Sequence, residues 1–155
     1  MSTRRAFLWS AATAAAFGGT TAAIPAVAQT APATERLGLK GYDPVAYFTL
    51  AAPTPGIAEF EVVYDGVRYR FANARHRDMF KANPEKYAPQ FGGLCAMTMA
   101  NGSRREPDPT IWLIANGNLY VFSGTAGQER FRLEAQVQAL RAAANWKTLK
   151  DMPSQ

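Results

Sequence analysis

The stretch "FEVVYDGVRYRF", residues 60–71, decides how this chain begins to fold. Two runs of β-branched and aromatic residues flank Asp65-Gly66, and such runs favour β-strands. Asp-Gly between two strands is among the strongest short signals for a hairpin turn. A second stretch of the same construction, "TIWLIANGNLYVF" at residues 110–122, turns at Asn116-Gly117. The sequence therefore predicts two antiparallel β-hairpins.

Four short segments around the hairpins are predicted to be helical. Three of them follow an Asp or Asn that can cap a helix, and two of these caps are followed directly by Pro, which suits the first helical position. The fourth, "GGLCAMTMANG", is rich in Ala, Leu and Met and ends in Asn-Gly, a common helix stop. The predicted helices follow Asp43, Asn73 and Asn83 and cover residues 44–48, 74–82 and 84–88, and the fourth lies within 92–102.

The C-terminal segment, residues 124–149, has the pattern of one long amphipathic helix. Phe131, Ala135, Leu140 and Ala144 recur near helical spacing with charged residues between them, so we expect these four to face the core. Trp146 is predicted to pack at the end of this helix. Hairpins, short helices and a long C-terminal helix together predict a small single domain of the α+β class.

The N-terminus has the layout of an export signal. A positive start at Arg4-Arg5 leads through Phe7-Leu8 into a weakly apolar run that ends in small residues at Ala28. This layout predicts a signal peptide over residues 1–28, cleaved after Ala28, in a protein exported to the periplasm. The paired arginines resemble a twin-arginine signal, with ordinary secretory export as the alternative route. The run lacks the large aliphatic residues of a membrane span.

Composition divides the rest of the chain into a leader, a domain and a tail, and it argues against a nucleic-acid partner. Residues 29–38 are predicted to be a flexible leader, residues 39–150 the folded domain, and residues 151–155 a tail. The formal net charge is +5, and removal of the two signal-peptide arginines leaves +3, because all acidic residues follow Ala28. A charge this small and this evenly spread does not predict nucleic-acid binding. No integral membrane span is expected in the processed chain.

Three stretches carry a resemblance to a known family: "KGYDPVAYF" at 40–48, residues 69–96, which end in "FGGLCA", and "DPTIWLIANGNLYVF" at 108–122. In this order they resemble the exported YHS-domain proteins, over Leu39 to Phe122. The resemblance implies a YHS or treble-clef-like fold and a role in metal handling. Metal-binding members have cysteines where Ala46 and Ala72 stand here, and His76 occupies a third ligand position. A tetrahedral zinc site needs four N or S ligands, which these positions cannot supply.

The remaining candidate ligands are Cys95, Met99 and His76. Cys95 is the only cysteine and cannot close an intrachain disulfide. On a helix, Cys95 and Met99 share a face while Met97 points away, whereas on a strand all three sulfurs would line one face. Thiolate with the thioether of Met99 or Met97 suits Cu(I) in either case. The alternative for Cys95 is plain core packing, because free cysteine is usually buried. No charged residue between 91 and 101 would lower the pKa of the thiol.

His76 also has two interpretations. Its neighbours Arg75 and Arg77 favour an exposed histidine on a helix, with no ligand role.

The functional hypotheses follow from these alternatives for Cys95 and His76. The first is a non-enzymatic module of the cell envelope that handles a soft metal such as copper, or binds a small ligand or an unidentified partner. The second is a thiol-dependent enzyme or redox protein using Cys95. The third is a structural or partner-binding module in which Cys95 is inert core.

Overall fold

A computed structural model describes residues 35–152 of the chain. The predicted signal peptide with its cleavage site after Ala28, residues 29–34 of the predicted leader and residues 153–155 of the predicted tail lie outside the described residues. The described part is α+β, as predicted. Its elements are β1 (Arg36–Leu37), α1 (Ala46–Thr49), β2 (Ile57–Tyr64), β3 (Val67–Phe71), α2 (Ala74–Ala82), α3 (Pro84–Tyr87), α4 (Ala96–Ala100), β4 (Asp108–Ala115), β5 (Asn118–Phe122), α5 (Thr125–Leu133) and α6 (Ala135–Leu149).

Both predicted hairpins are confirmed. β2 pairs antiparallel with β3, and β4 pairs antiparallel with β5. Asp65 and Gly66 have φ angles of 49° and 72°, and Asn116 and Gly117 have φ angles of 52° and 78°. Positive φ at both central residues is the mark of a type I′ turn, whose twist matches that of the flanking strands. The local turn chemistry thus sets the register next to each turn, and an irregularity shifts it further along, between Ile57 and Glu61 of β2 and between Asp108 and Trp112 of β4.

The folded part begins before Leu39. The predicted leader extended to residue 38, whereas Arg36–Leu37 form β1 and pair parallel with β3, with Arg36 opposite Val67. The first sheet is therefore mixed, in the order β1-β3-β2. The edge of β3 that does not face β2 offers backbone donors and acceptors to an extended segment, and β1 pairs with it. Nothing in the local composition of the leader signals that pairing.

The helices α2 and α3 begin directly after Asn73 and Asn83, the capping residues from which they were predicted. The Asn73 side chain accepts a hydrogen bond from the backbone N–H of His76, and that of Asn83 accepts one from Lys86. The predicted helix over 92–102 is shorter: α4 begins only at Ala96. The residues before it, Phe91 to Gly93, form a left-handed turn with φ angles of 56°, 59° and 74°. The glycine pair permits this turn because glycine has no Cβ to clash.

The C-terminal segment is two helices instead of one. Glu134 has φ −134° and ψ 43°, which breaks the helix between α5 and α6. The buried residues of α6 are Gln138 and Ala142, so the prediction that Leu140 and Ala144 face the core is wrong. The break explains this error, because Phe131, which is buried as predicted, belongs to α5 and does not share a helical wheel with α6.

The core consists of three neighbouring clusters. One cluster lies under α4, α5 and α6 and includes Cys95 and Phe131. A second lies between the first hairpin and α2, where the Phe80 ring packs 5.1 Å from that of Phe71. The third joins Leu39 and Tyr47 to β5. Within residues 35–152, no helix combines the length and apolar character that crossing a membrane requires.

Candidate functional site

Cys95 lies between the left-handed turn and the start of α4. Its backbone N–H donates to the carbonyl of Arg105 at 2.9 Å, and its backbone forms a parallel bridge to Val121 of β5. The residue is 2% exposed and belongs to the core cluster under α6. Backbone pairing on two sides therefore fixes the thiol inside the protein.

The Cys95 thiol has two hydroxyl neighbours. Thr98 Oγ1 donates to Cys95 Sγ at 3.1 Å, and Ser123 Oγ donates to the same sulfur at 3.4 Å. Burial raises the pKa of Cys95, but the hydrogen bonds from Ser123 and Thr98 outweigh it, so the pKa lies below its ordinary value. The prediction that nothing lowers this pKa considered only charged neighbours and is corrected by these hydroxyls.

The two methionines of α4 are also core residues. Met99 is fully buried and Met97 nearly so, and both lie in the same cluster as Cys95. Met97 is therefore a core residue like Met99, although helical spacing places the two on different faces of α4. A Cu(I) ion held by Cys95 and Met99 would have to enter a packed apolar cluster to reach either sulfur.

His76 is buried, contrary to the interpretation based on its charged neighbours. It lies on α2 one turn before Phe80, and both side chains face inward while Arg75 on the same helix stays exposed. His76 Nδ1 lies 2.6 Å from Asp43 Oδ2, and His76 Nε2 lies 3.3 Å from Thr49 Oγ1. Because a carboxylate is only an acceptor, Nδ1 carries the proton of this first bond.

Asp43 is the buried centre of this polar group. Its carboxylate accepts hydrogen bonds from the backbone N–H groups of Val45 at 2.8 Å and Ala72 at 2.9 Å, in addition to that from His76. It thereby joins the start of α1, the end of β3 and the first turns of α2. The sequence predicted only the cap of α1, because His76 lies 33 residues further on.

This group resembles a hydrolytic triad, in which a hydroxyl, an imidazole and a carboxylate follow one another. Here the three groups belong to Thr49, His76 and Asp43. In such a triad the hydroxyl gives its proton to the imidazole. Here Thr49 Oγ1 donates to the carbonyl of Val45 at 3.1 Å, one turn back along α1. The Thr49 proton is thus directed away from His76, and the arrangement ties α1 to α2.

The structure does not bring the predicted metal ligands together. Cys95 and Met99 share one core cluster, whereas His76 hydrogen-bonds to Asp43, lies 3.3 Å from Thr49 Oγ1 and has no hydrogen bond to Cys95. Among residues 35–152, no group of three or more His, Cys, Asp or Glu side chains could hold a metal ion.

A different feature stands out on the surface, an apolar stripe on α5 and α6. Leu133, Val137 and Leu140 are 77%, 47% and 67% exposed. Val137 and Leu140 lie three residues apart on α6, opposite the buried side chains of Gln138 and Ala142. Leu133 ends α5 just before the break at Glu134. The spacing of Leu140 predicted a core position, because an apolar residue has the same spacing on a buried and on an exposed face.

Comparison of the chain with protein-family models, with curated proteins and with solved structures finds no match.

Proposed function

We propose that this chain is an exported YHS-type domain that acts as a non-enzymatic accessory module and binds a protein partner through the apolar stripe. The observation that carries the proposal is the exposure of Val137 and Leu140 on one face of α6, with Leu133 exposed at the end of α5 just before it. A group of large aliphatic side chains in water is unusual unless it is covered by another surface. The export layout at residues 1–28 and the order of the three YHS-like stretches support the remaining parts.

The polar groups inside the domain favour binding over catalysis. A nucleophilic cysteine needs a base within hydrogen-bond reach. The side-chain donors to Cys95 Sγ are the hydroxyls of Thr98 and Ser123, and His76 is already held by Asp43. Both groups are explained by what they hold together: Cys95 joins α4 to β5, and His76 joins α2 to α1.

Site-specific photo-crosslinking in cells tests the proposal. A photoreactive amino acid replaces Leu140 in one variant and Val137 in a second, both exposed positions that tolerate a new side chain. We expect a discrete crosslinked product from each, because the stripe is covered by a protein surface in the cell. The matched control carries the same amino acid at Glu59, an exposed position on β2.

Mass spectrometry of the crosslinked product identifies the protein that lies on the stripe. A discrete protein product from the stripe positions that is absent from the Glu59 control supports the docking surface. Equal products from all three positions, or none from the stripe positions, would overturn it.

A soft-metal site at Cys95 is a second candidate function. The observation in its favour is the lowered pKa of the Cys95 thiol, since the thiolate is the form that binds a metal. Titration of the full chain with Cu(I) tests this candidate, with Cys95→Ala and Met99→Leu as variants. A site built on both sulfurs loses affinity in each variant. Equal affinity in wild type and Cys95→Ala removes the candidate, and a thermal melt of Cys95→Ala shows whether that variant still folds.

A further inference from the structure

We propose that the cleft between the first hairpin and the C-terminal end of α6 binds a free α-amino acid with an apolar side chain. The cleft has a volume of about 370 Å³, within the usual range of small-molecule pockets. Its lining residues come from β1, the first hairpin, the loops before and after α4 and the end of α6. The proposal is independent of the apolar stripe and of the partner proposed for it.

Three residues that line the cleft meet at Gly92 of the left-handed turn. A Cβ added there would lie 3.4 Å from Arg36 Nη2, 3.4 Å from Trp146 Cη2 and 3.5 Å from Val67 Cγ2. The lack of a side chain at Gly92 thus lets β1, β3 and α6 approach the same turn closely. Arg36 is fixed there, because it donates to the Gly92 carbonyl and pairs with Glu106 at 3.2 Å. Its charge is therefore balanced within the protein.

The other charged side chains of the cleft are two cations, Arg104 and Lys150, and two carboxylates, Asp65 and Asp151. Among residues 35–152, none of these four belongs to an ion pair. A ligand that complements equal numbers of unpaired positive and negative groups carries both signs itself. An α-amino acid is such a ligand, because near neutral pH its carboxyl group is negative and its amino group positive.

Arg104 is the partner that we assign to the carboxylate of the ligand. Its Nη1 donates to the backbone carbonyl of Met152, while its Nε is buried and has no hydrogen-bond partner in the described part of the chain. Buried polar atoms without a partner are rare, and one beside a cleft indicates that a bound molecule completes its hydrogen bonds. A guanidinium binds a carboxylate through charge-assisted hydrogen bonds, and Lys150 adds a second positive charge to the cleft.

Trp146 and Asp65 are the residues that we assign to the rest of the ligand. Both also line a neighbouring cleft of about 260 Å³, so they stand together at the border between the two clefts. The carboxylate of Asp65 can accept hydrogen bonds from the amino group of the ligand. The indole of Trp146 is partly exposed and, with Val67 and Leu94, gives the ligand side chain an apolar surface.

NMR titration of the full chain with L-phenylalanine tests the proposal, after Trp146→Phe and Trp112→Phe have assigned the two indole N–H signals. We expect the Trp146 signal to shift and saturate while the Trp112 signal stays in place. The dissociation constant should be on the order of a millimolar or lower, as for other ligands of this size. Two analogues isolate the charges, since 3-phenylpropionate lacks the amino group and 2-phenylethylamine lacks the carboxylate. Each should bind more weakly than phenylalanine by about tenfold.

Variants of the cleft test the two charge partners. Arg104→Gln should weaken the binding of phenylalanine by about tenfold, because it removes the partner of the carboxylate. Asp65→Asn should weaken it by about threefold or more, and asparagine suits the left-handed turn position, so the hairpin is kept. Arg105→Gln and Asp78→Asn, at exposed residues, make the same changes of charge and should leave the affinity unchanged. If a thermal melt shows that Arg104→Gln does not fold, Lys150→Gln at an exposed residue replaces it, with an expected loss of about threefold or more.

Several results would overturn the proposal. A Trp146 signal that does not move at any concentration of phenylalanine excludes the site. Equal affinities for phenylalanine and 3-phenylpropionate exclude an amino acid as the ligand, because the carboxylates of the cleft then play no part. Affinities that Arg104→Gln or its replacement Lys150→Gln leaves unchanged reject the assignment of the cations.

Discussion

Asp43 is the residue on which the buried polar contacts of the domain converge. It accepts hydrogen bonds from Val45, Ala46 and Ala72 backbone N–H groups and from the His76 ring. A buried carboxylate is tolerable only when its oxygens are fully hydrogen-bonded, as they are here. One side chain thus supplies the polar contact between α1, the end of β3 and α2.

Replacement of Asp43 by Ala should be severely destabilising. It leaves the ring of His76 and the backbone N–H of Ala72 without their acceptor in a buried place. We expect the free energy of unfolding to fall by about 3–5 kcal/mol, as for other broken buried pairs. Urea denaturation measures this. Asp78→Ala, at an exposed carboxylate on α2, is the control and should change it by less than about 0.5 kcal/mol. Equal effects of the two substitutions would contradict the role of Asp43.

Cys95 allows a prediction about pH. Burial opposes ionisation, yet the hydrogen bonds from Ser123 and Thr98 hold the pKa of Cys95 below its ordinary value. The thiolate is therefore stabilised in the folded state relative to the unfolded chain. That stabilisation is full above the unfolded pKa of about 8.5 and is lost as the pH falls through the lower folded pKa. The difference in unfolding free energy between wild type and Cys95→Ala should grow as the pH rises toward that value.

Ser123→Ala should raise the pKa of Cys95, because it removes a hydroxyl that donates to the thiolate. Thiolate absorbance near 240 nm, taken as a difference from the Cys95→Ala variant, follows the titration. Ser103→Ala, at an exposed serine, should leave the midpoint where it is in wild type. A midpoint unchanged by Ser123→Ala would show that the hydroxyl does not act on the sulfur.

Among the elements, the left-handed turn before α4 depends on Gly93 in two ways. Gly93 has a φ of +74°, and a Cβ added there would lie 3.1 Å from Pro89 Cγ and 3.2 Å from Leu39 Cδ2. Gly117, in the second hairpin, has a similar φ of +78° but no atom within 4 Å of its added Cβ. The two glycines therefore share a backbone requirement and differ in packing.

Substitution by alanine at each position should separate the cost of the left-handed backbone from the cost of overpacking. Gly117→Ala should lower the free energy of unfolding by about 1–2 kcal/mol, the cost of a left-handed non-glycine residue. Gly93→Ala should lower it by a further amount of about 1–3 kcal/mol, because the methyl group also overpacks the contact with Leu39. Denaturant unfolding of the two variants side by side measures the difference. Equal losses would mean that the turn yields to the added methyl group without cost.

The elements also show which patterns can be interpreted locally. Asp65-Gly66 and the Asn73 cap act on residues next to them, so the first hairpin and α2 were predictable. The break at Glu134 was not, since α5 and α6 together keep one continuous apolar period. An apolar period identifies a face but does not determine whether that face meets the core or another molecule.

At the scale of the whole molecule, the contacts that sequence patterns did not predict are those between segments far apart in the chain. Cys95 and Met99 were identified as soft ligands, but the hydroxyl of Ser123 that reaches Cys95 comes from 28 residues away. The sequence predicts a cap for Asp43 and an exposed position for His76, although the two form one buried pair. Such pairs follow from the packing of hairpins against helices, and no spacing along the chain encodes them.

The thermal stability of the whole molecule should depend little on Leu140. Leu140 is 67% exposed, so Leu140→Glu should leave the Tm near that of wild type. Phe131→Ala, at a fully buried ring of α5, should instead lower the free energy of unfolding by about 3–5 kcal/mol. Each kcal/mol lost lowers the Tm of a domain of this size by roughly 4 °C. Calorimetry of the full chain measures both changes. A Tm of Leu140→Glu as low as that of Phe131→Ala would place Leu140 in the packed core.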